Sequence, residues 1–88
     1  MEQNPQVTME QIGRMTLGGI GARRFQHDGD TLSFTISRGH RIVDVILDPT
    51  DTYTVRTRMK RSGRVVFEQS DVYCDGLGEA VWQAHVER

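Results

Sequence analysis

The segment Tyr53–Gln69 reads YTVRTRMKRSGRVVFEQ. Tyr53, Val55, Thr57 and Met59 alternate with Thr54, Arg56, Arg58 and Lys60, the period of two that sends successive side chains to opposite faces of a strand. Ser62-Gly63 supplies a turn, and the chain returns as VVFEQ. A hairpin with one apolar and one basic face follows from that pattern.

The same period recurs upstream. ARRFQH, the turn pair Asp28-Gly29 and TLSFTIS read as another hairpin, with Leu32, Phe34 and Ile36 on one side and Ser33, Thr35 and Ser37 on the other. After a break at RGHR, Val43, Val45 and Leu47 oppose Ile42, Asp44 and Ile46, and DPTD turns the chain back into Tyr53. Four to five short strands joined by tight turns make an antiparallel meander.

Helical patterns flank the meander. Thr8 and Gln11 stand at capping-box spacing, so a helix is expected from Thr8, with Met9, Ile12, Gly13 and Thr16 on one face and Gly18-Gly19 as its stop. MEQNPQ before it reads as a flexible arm over residues 1–6. Ser70 or Asp71 can cap a C-terminal helix on which Tyr73, Leu77, Ala80 and Ala84 cluster beside Val81, a stripe suited to one sheet face. Residues 7–88 are thus expected to be a single α+β domain: N-terminal helix, meander, C-terminal helix packed on the sheet.

Eighty-eight residues allow only a small core, so self-association, as in a homodimer, would help this chain. One cysteine, Cys74, excludes an internal disulfide and fits a reducing compartment. No apolar stretch approaches ~20 residues, and no charged-then-apolar leader opens the chain. The expectation is a cytoplasmic protein with no membrane partner.

Catalytic readings fail one by one. Gly18, Gly19 and Gly21 in LGGIGARR resemble a phosphate loop, but they close a helix instead of opening one, and Arg24 stands where a dinucleotide fingerprint needs glycine. Cys74 and His85 on one helix would lie roughly 16 Å apart along its axis, beyond hydrogen-bond reach. His27, His40 and His85 are scattered, and HDGD at His27–Asp30 lacks the ligands of a calcium loop. The reading is a non-enzyme with no cofactor and no metal.

Charge is more informative. The net charge is −1, yet residues 52–64 carry +5 while residues 65–88 hold five acids against one arginine. Arg56, Arg58 and Lys60, with Arg61 and Arg64 at the turn, could track a nucleic-acid backbone. The favoured alternative is a solvated sheet face paired with Glu68, Asp44 or the acidic helix, since aromatic interleaving is missing. Trp82 falls opposite the apolar stripe, as an interface anchor would; alternatively Gly76 and Gly78 shift the helical phase and bury it.

Five short blocks, QIG at Gln11–Gly13, GARRF at Gly21–Phe25, TLSF at Thr31–Phe34, DTYTV at Asp51–Val55 and DVYCD at Asp71–Asp75, run in order along the chain. On these, residues 11–84 resemble a family of short, uncharacterised proteins found in phages, prophages and plasmids. The family pattern has a Gly-Ala-Lys-Asn-Phe-like segment where this chain has Gly21-Ala22-Arg23-Arg24-Phe25, which adds positive charge here, and the last helix is richer in glycine. The resemblance implies a mobile-element origin and an α–β–α layout and transfers no active-site residue. Small phage proteins often act stoichiometrically by occupying a host complex, and inhibitors of host defence, including anti-CRISPR proteins, are one such class.

The sequence therefore leads to a phage or mobile-element accessory protein that binds a host protein or nucleoprotein complex, with Asp71, Asp75, Glu79 and Trp82 as the partner-binding set. Acidic side chains of that set could occupy sites meant for phosphates. The alternative is direct nucleic-acid binding through Arg56, Arg58, Lys60, Arg61 and Arg64.

Overall fold

A computed structural model of the chain describes residues 4–36 and 39–86. Met1–Gln3 of the expected arm, Ser37 and Arg38 near the expected break, and Glu87 and Arg88 at the end lie outside the described residues. The alternating segments form five strands: β1 (Arg23–Asp28), β2 (Thr31–Ile36), β3 (Arg41–Leu47), β4 (Tyr53–Met59) and β5 (Val65–Val72). They pair in sequence order and all antiparallel, the expected meander with its fifth strand present.

Register turns the period of two into rows across the sheet. Leu32, Val45 and Val55 stand side by side, and Phe34, Val43, Thr57 and Phe67 form the next row on that face. On the other face Gln26, Ser33, Asp44, Arg56 and Glu68 line up strand by strand. The first set belongs to the core with Ile12, Ile20, Leu77, Val81 and Ala84, so the helices cover the apolar face. β1 is an edge strand exposed along its whole length, tied inward by the Phe25 ring 5.4 Å from that of Phe34. A register shift between Arg23 and Gln26, with Arg24 at φ 56°, kinks this edge, as bulges commonly do at sheet edges.

The N-terminal helical region differs from expectation in two ways. Helix α1 spans Pro5–Ile12, and its cap is Asn4, whose side chain accepts from the N–H groups of Gln6 and Val7 at 3.1 and 3.3 Å. Asn at the cap with Pro at the first helical position outcompetes the Thr8–Gln11 box. Thr8 sits inside the helix, buried, its hydroxyl donating back to the Asn4 carbonyl at 3.1 Å. Gly13, at φ 98°, then breaks the run, and a short α2 (Arg14–Gly19) follows, leaving Met15 92% exposed.

The C-terminal helix also starts late. β5 ends at Val72, Tyr73 is extended, and a single 3-10 turn (Cys74–Gly76) precedes α3 (Leu77–Val86). Leu77, Ala80, Val81 and Ala84 are buried as the stripe required, but Tyr73 lies outside the helix and is 67% exposed. A Cβ on Gly78 would stand 2.6 Å from the Ile12 carbonyl oxygen, so glycine lets the end of α1 meet the start of α3. The sheet is bonded to these helices through Thr57, whose hydroxyl donates to the Ala84 carbonyl at 3.1 Å, and Tyr53, whose hydroxyl donates to Gln11 Oε1 at 2.8 Å. No helix among the described residues is long and apolar enough to cross a membrane.

Candidate functional site: an acidic groove and a basic end

Between the end of β5 and the first turns of α3 the chain changes direction three times. Asp71 takes the left-handed conformation at φ 57°, Tyr73 returns to extended backbone, and the 3-10 turn then feeds the helix. These bends gather Asp71, Asp75 and Glu79 around one open groove, with Tyr73, Gln69 and Gln83 completing its walls. All three carboxylates are exposed. Glu79 lies in the first turn of α3, where negative charge also complements the helix dipole.

Trp82 does not line that groove. It is 44% exposed, its Cζ3 would be 3.5 Å from a Cβ on Gly19 of α2, and its ring centroid is 5.5 Å from that of His85. The structure thus unites the three acids and leaves Trp82 as a half-exposed patch between α3 and α2. Of the two alternatives weighed for this side chain, the glycine-containing segment does delay the helix, but the delay does not bury the indole, which remains exposed. Tyr73, not singled out as a binding residue, is the aromatic that accompanies the acids. Its signal was DVYCD itself, where two acids flank an aromatic outside any stable helical turn.

The basic hairpin divides into two parts. Asp44, on β3, is 1% exposed and sits directly opposite Arg56. Its Oδ2 accepts from Arg56 Nε and Nη2 at 3.2 and 3.0 Å and from Arg58 Nε at 2.8 Å, while Ser33 donates to Oδ1 at 2.7 Å. Burial pushes the Asp44 carboxyl up, but the hydrogen bonds from Arg58, Ser33 and Arg56 outweigh it and hold the group below the ordinary carboxylate range. The same bond raises Arg58 above its usual value. Arg56 and Arg58 are therefore structural partners of a buried acid, whereas Lys60, Arg61 and Arg64 stand exposed in the β4–β5 turn.

Topology sorts the remaining charges. In a meander alternate turns fall at the same end of the sheet. The β1–β2 turn, the β3–β4 turn and the exit from β5 share one end, which carries Asp28, Asp30, Asp48, Asp51, Asp71 and Asp75. The start of β1, the β2–β3 turn and the β4–β5 turn share the other, which carries Arg23, Arg24, Arg41, Lys60, Arg61 and Arg64. Six of the chain's seven aspartates thus lie at one end, and the seventh is Asp44 in the middle of the sheet.

Cys74 and His85, expected to share a helix, do not: Cys74 is in the 3-10 turn and exposed. Among the described residues no group of three or more His, Cys, Asp or Glu side chains could hold a metal ion. No family model, curated protein or solved structure matches the chain.

Proposed function

We propose that this protein is a non-enzymatic binding module that docks stoichiometrically on a basic surface of a macromolecular complex through the groove of Asp71, Asp75 and Glu79. The convergence of three exposed carboxylates on one groove, with Tyr73 at its wall, carries the proposal. Acids so arranged match a surface shaped for phosphates, and complementary charge contributes most to encounter rate and specificity. Tyr73 adds an amphipathic ring of the kind enriched at binding hot spots, and Trp82 offers a second such ring further along α3.

The resemblance to short phage, prophage and plasmid proteins supports a bacterial host complex as the target. Inhibition of host defence, in the manner of anti-CRISPR proteins, is the particular form of this proposal. A tagged wild-type chain is expected to retain a partner at about equal stoichiometry from host lysate and to release it as salt is raised. Asp75→Lys/Glu79→Lys is expected to abolish that capture, and Trp82→Ala to weaken it. Equal capture by wild type and the charge-reversed variant would refute the proposal, as would the absence of any stoichiometric partner.

A further inference from the structure

We propose that the basic end of the sheet is a binding site for a nucleic-acid phosphate backbone. This site goes beyond the acidic groove and stands on different residues. It also differs from a cationic track along the face of β4. Arg56 and Arg58, the strand members of that track, already serve Asp44. The cations left for a ligand are at the turns.

The described residues of these turns are held by backbone hydrogen bonds. The β4–β5 hairpin closes on itself, with Met59 N–H donating to the Arg64 carbonyl at 2.9 Å and Gly63 N–H to the Met59 carbonyl at 2.8 Å. Lys60 N–H donates to the His40 carbonyl at 3.1 Å, so the β2–β3 turn is bonded to the hairpin beside it. Lys60, Arg61 and Arg64 are thus presented on a fixed platform. At the far side of the same end stand exposed Arg23 and Arg24, where β1 begins. Neighbouring strands are about 4.8 Å apart, so the row from β1 to the hairpin extends roughly 15–19 Å. A duplex carries one charge per roughly 1.7 Å of its axis, so a row of that length meets several phosphates at once. Arginine suits this task because its planar fork pairs with phosphate oxygens two at a time.

The near-zero net charge does not oppose this site. A seven-residue strand such as β4 is roughly 20 Å long, which is more than two Debye lengths at physiological salt, about 8 Å each. A phosphate at the basic end therefore meets its cations with the aspartates of the other end largely screened. No acid lies in residues 20–25, 39–41 or 59–64. Residues 60–64 carry no apolar side chain, and the exposed apolar neighbours of the site, Val65 and Phe25, stand singly on separate strands without the continuous apolar face that insertion into lipid needs, which favours nucleic acid over an anionic membrane. No aromatic side chain stands in the hairpin turn to stack on bases, and the ring of Phe25, beside Arg24, is engaged with Phe34 at 5.4 Å, so the site is expected to be indifferent to sequence.

The test is fluorescence anisotropy of a labelled short duplex titrated with the full chain at several salt concentrations. Three to five phosphate contacts predict a log–log slope between about −2.7 and −4.5, or roughly 40- to 500-fold weaker binding for a fourfold rise in salt. Lys60→Glu/Arg61→Glu/Arg64→Glu, at exposed turn positions, is expected to lose binding at low salt while keeping the wild-type circular dichroism spectrum. Should the triple variant fail to fold, Arg61→Glu alone is expected to flatten the slope by about one. No binding at low salt, a slope near zero or equal binding by the folded variants would overturn the proposal. So would sedimentation of the wild type with anionic vesicles but not with DNA, or loss in the triple variant of a protein partner only. Failure here leaves the acidic groove untouched, because Asp75→Lys/Glu79→Lys reads that site separately.

Discussion

Arg58 stands opposite Ile42, two residues along from the position facing Asp44, yet its Nε lies 2.8 Å from Asp44 Oδ2, closer than either nitrogen of Arg56, which faces Asp44 directly. The diagonal reach lets one buried carboxylate hold two guanidiniums on the helix-free side of the strands it joins. That arrangement makes Asp44 the electrostatic keystone of this face.

Asp44→Asn is expected to cost about 2 kcal/mol at neutral pH, below the usual range for a broken buried pair because both guanidiniums are a third exposed. The folded-state carboxyl is held below its ordinary value, so the unfolded chain takes up the proton first. The stabilisation is complete above the unfolded value of about 4 and is lost as pH falls through the folded one. Urea denaturation at pH 7, 5 and 3 should therefore show wild type and variant converging only at the acid end. A gap of constant size across that range would contradict this account.

Gly78→Ala places a methyl 2.6 Å from the Ile12 carbonyl, a backbone atom with little freedom to move. The expected loss is about 1–3 kcal/mol, the usual cost of overpacking. Gly76→Ala meets nothing within 4 Å and should be neutral or slightly stabilising. Thermal melts of the pair check this; equal effects at both positions would show that helix propensity, not the α1–α3 contact, sets the need for glycine.

Thr57→Val keeps shape and removes the hydroxyl that donates to the Ala84 carbonyl in the last turn of α3. That carbonyl belongs to the group a helix cannot satisfy internally. A loss of about 1 kcal/mol is expected by chemical denaturation, with faster amide exchange at the end of α3. No change in either measurement would mean that the bond contributes nothing net.

Asn4→Ala should cost about 1 kcal/mol, the ordinary value of a side-chain cap, while Asn4→Asp should be tolerated. Helicity and urea midpoint report both. If Asn4→Ala is silent, α1 does not depend on this cap.

The sheet was legible because side chains alternate apolar and polar over residues 32–36 and, with Thr57 the one polar exception on its apolar face, over 53–60, while the tight turns between the strands leave only antiparallel pairing. The helices were less so. Asn4 and Thr8 both offer an oxygen for capping, and only the backbone beyond Pro5 selects between them. A helical wheel drawn through Tyr73 assumes that the helix has already begun, which the left-handed Asp71 and the 3-10 turn prevent. Asp44 could be named as one of several partners for the arginines, but register is a property of paired strands, and no single strand encodes it. The same limit hid the two charged ends. Residues 23, 41 and 61 are far apart along the chain, and they come to the same end of the sheet only after the strands are ordered.

Sorting charge by alternate turns has a mechanical consequence. Net charge sets the force on a molecule approaching a charged object, whereas charge separation sets the torque. With a total of −1 this protein is scarcely pulled or pushed from a distance. It is turned instead, with Lys60, Arg61 and Arg64 leading toward a polyanion and Asp48, Asp51 and Asp75 leading toward a polycation. Orientation is settled before contact is made, and it is encoded in surface turns that can be rewritten without touching the core.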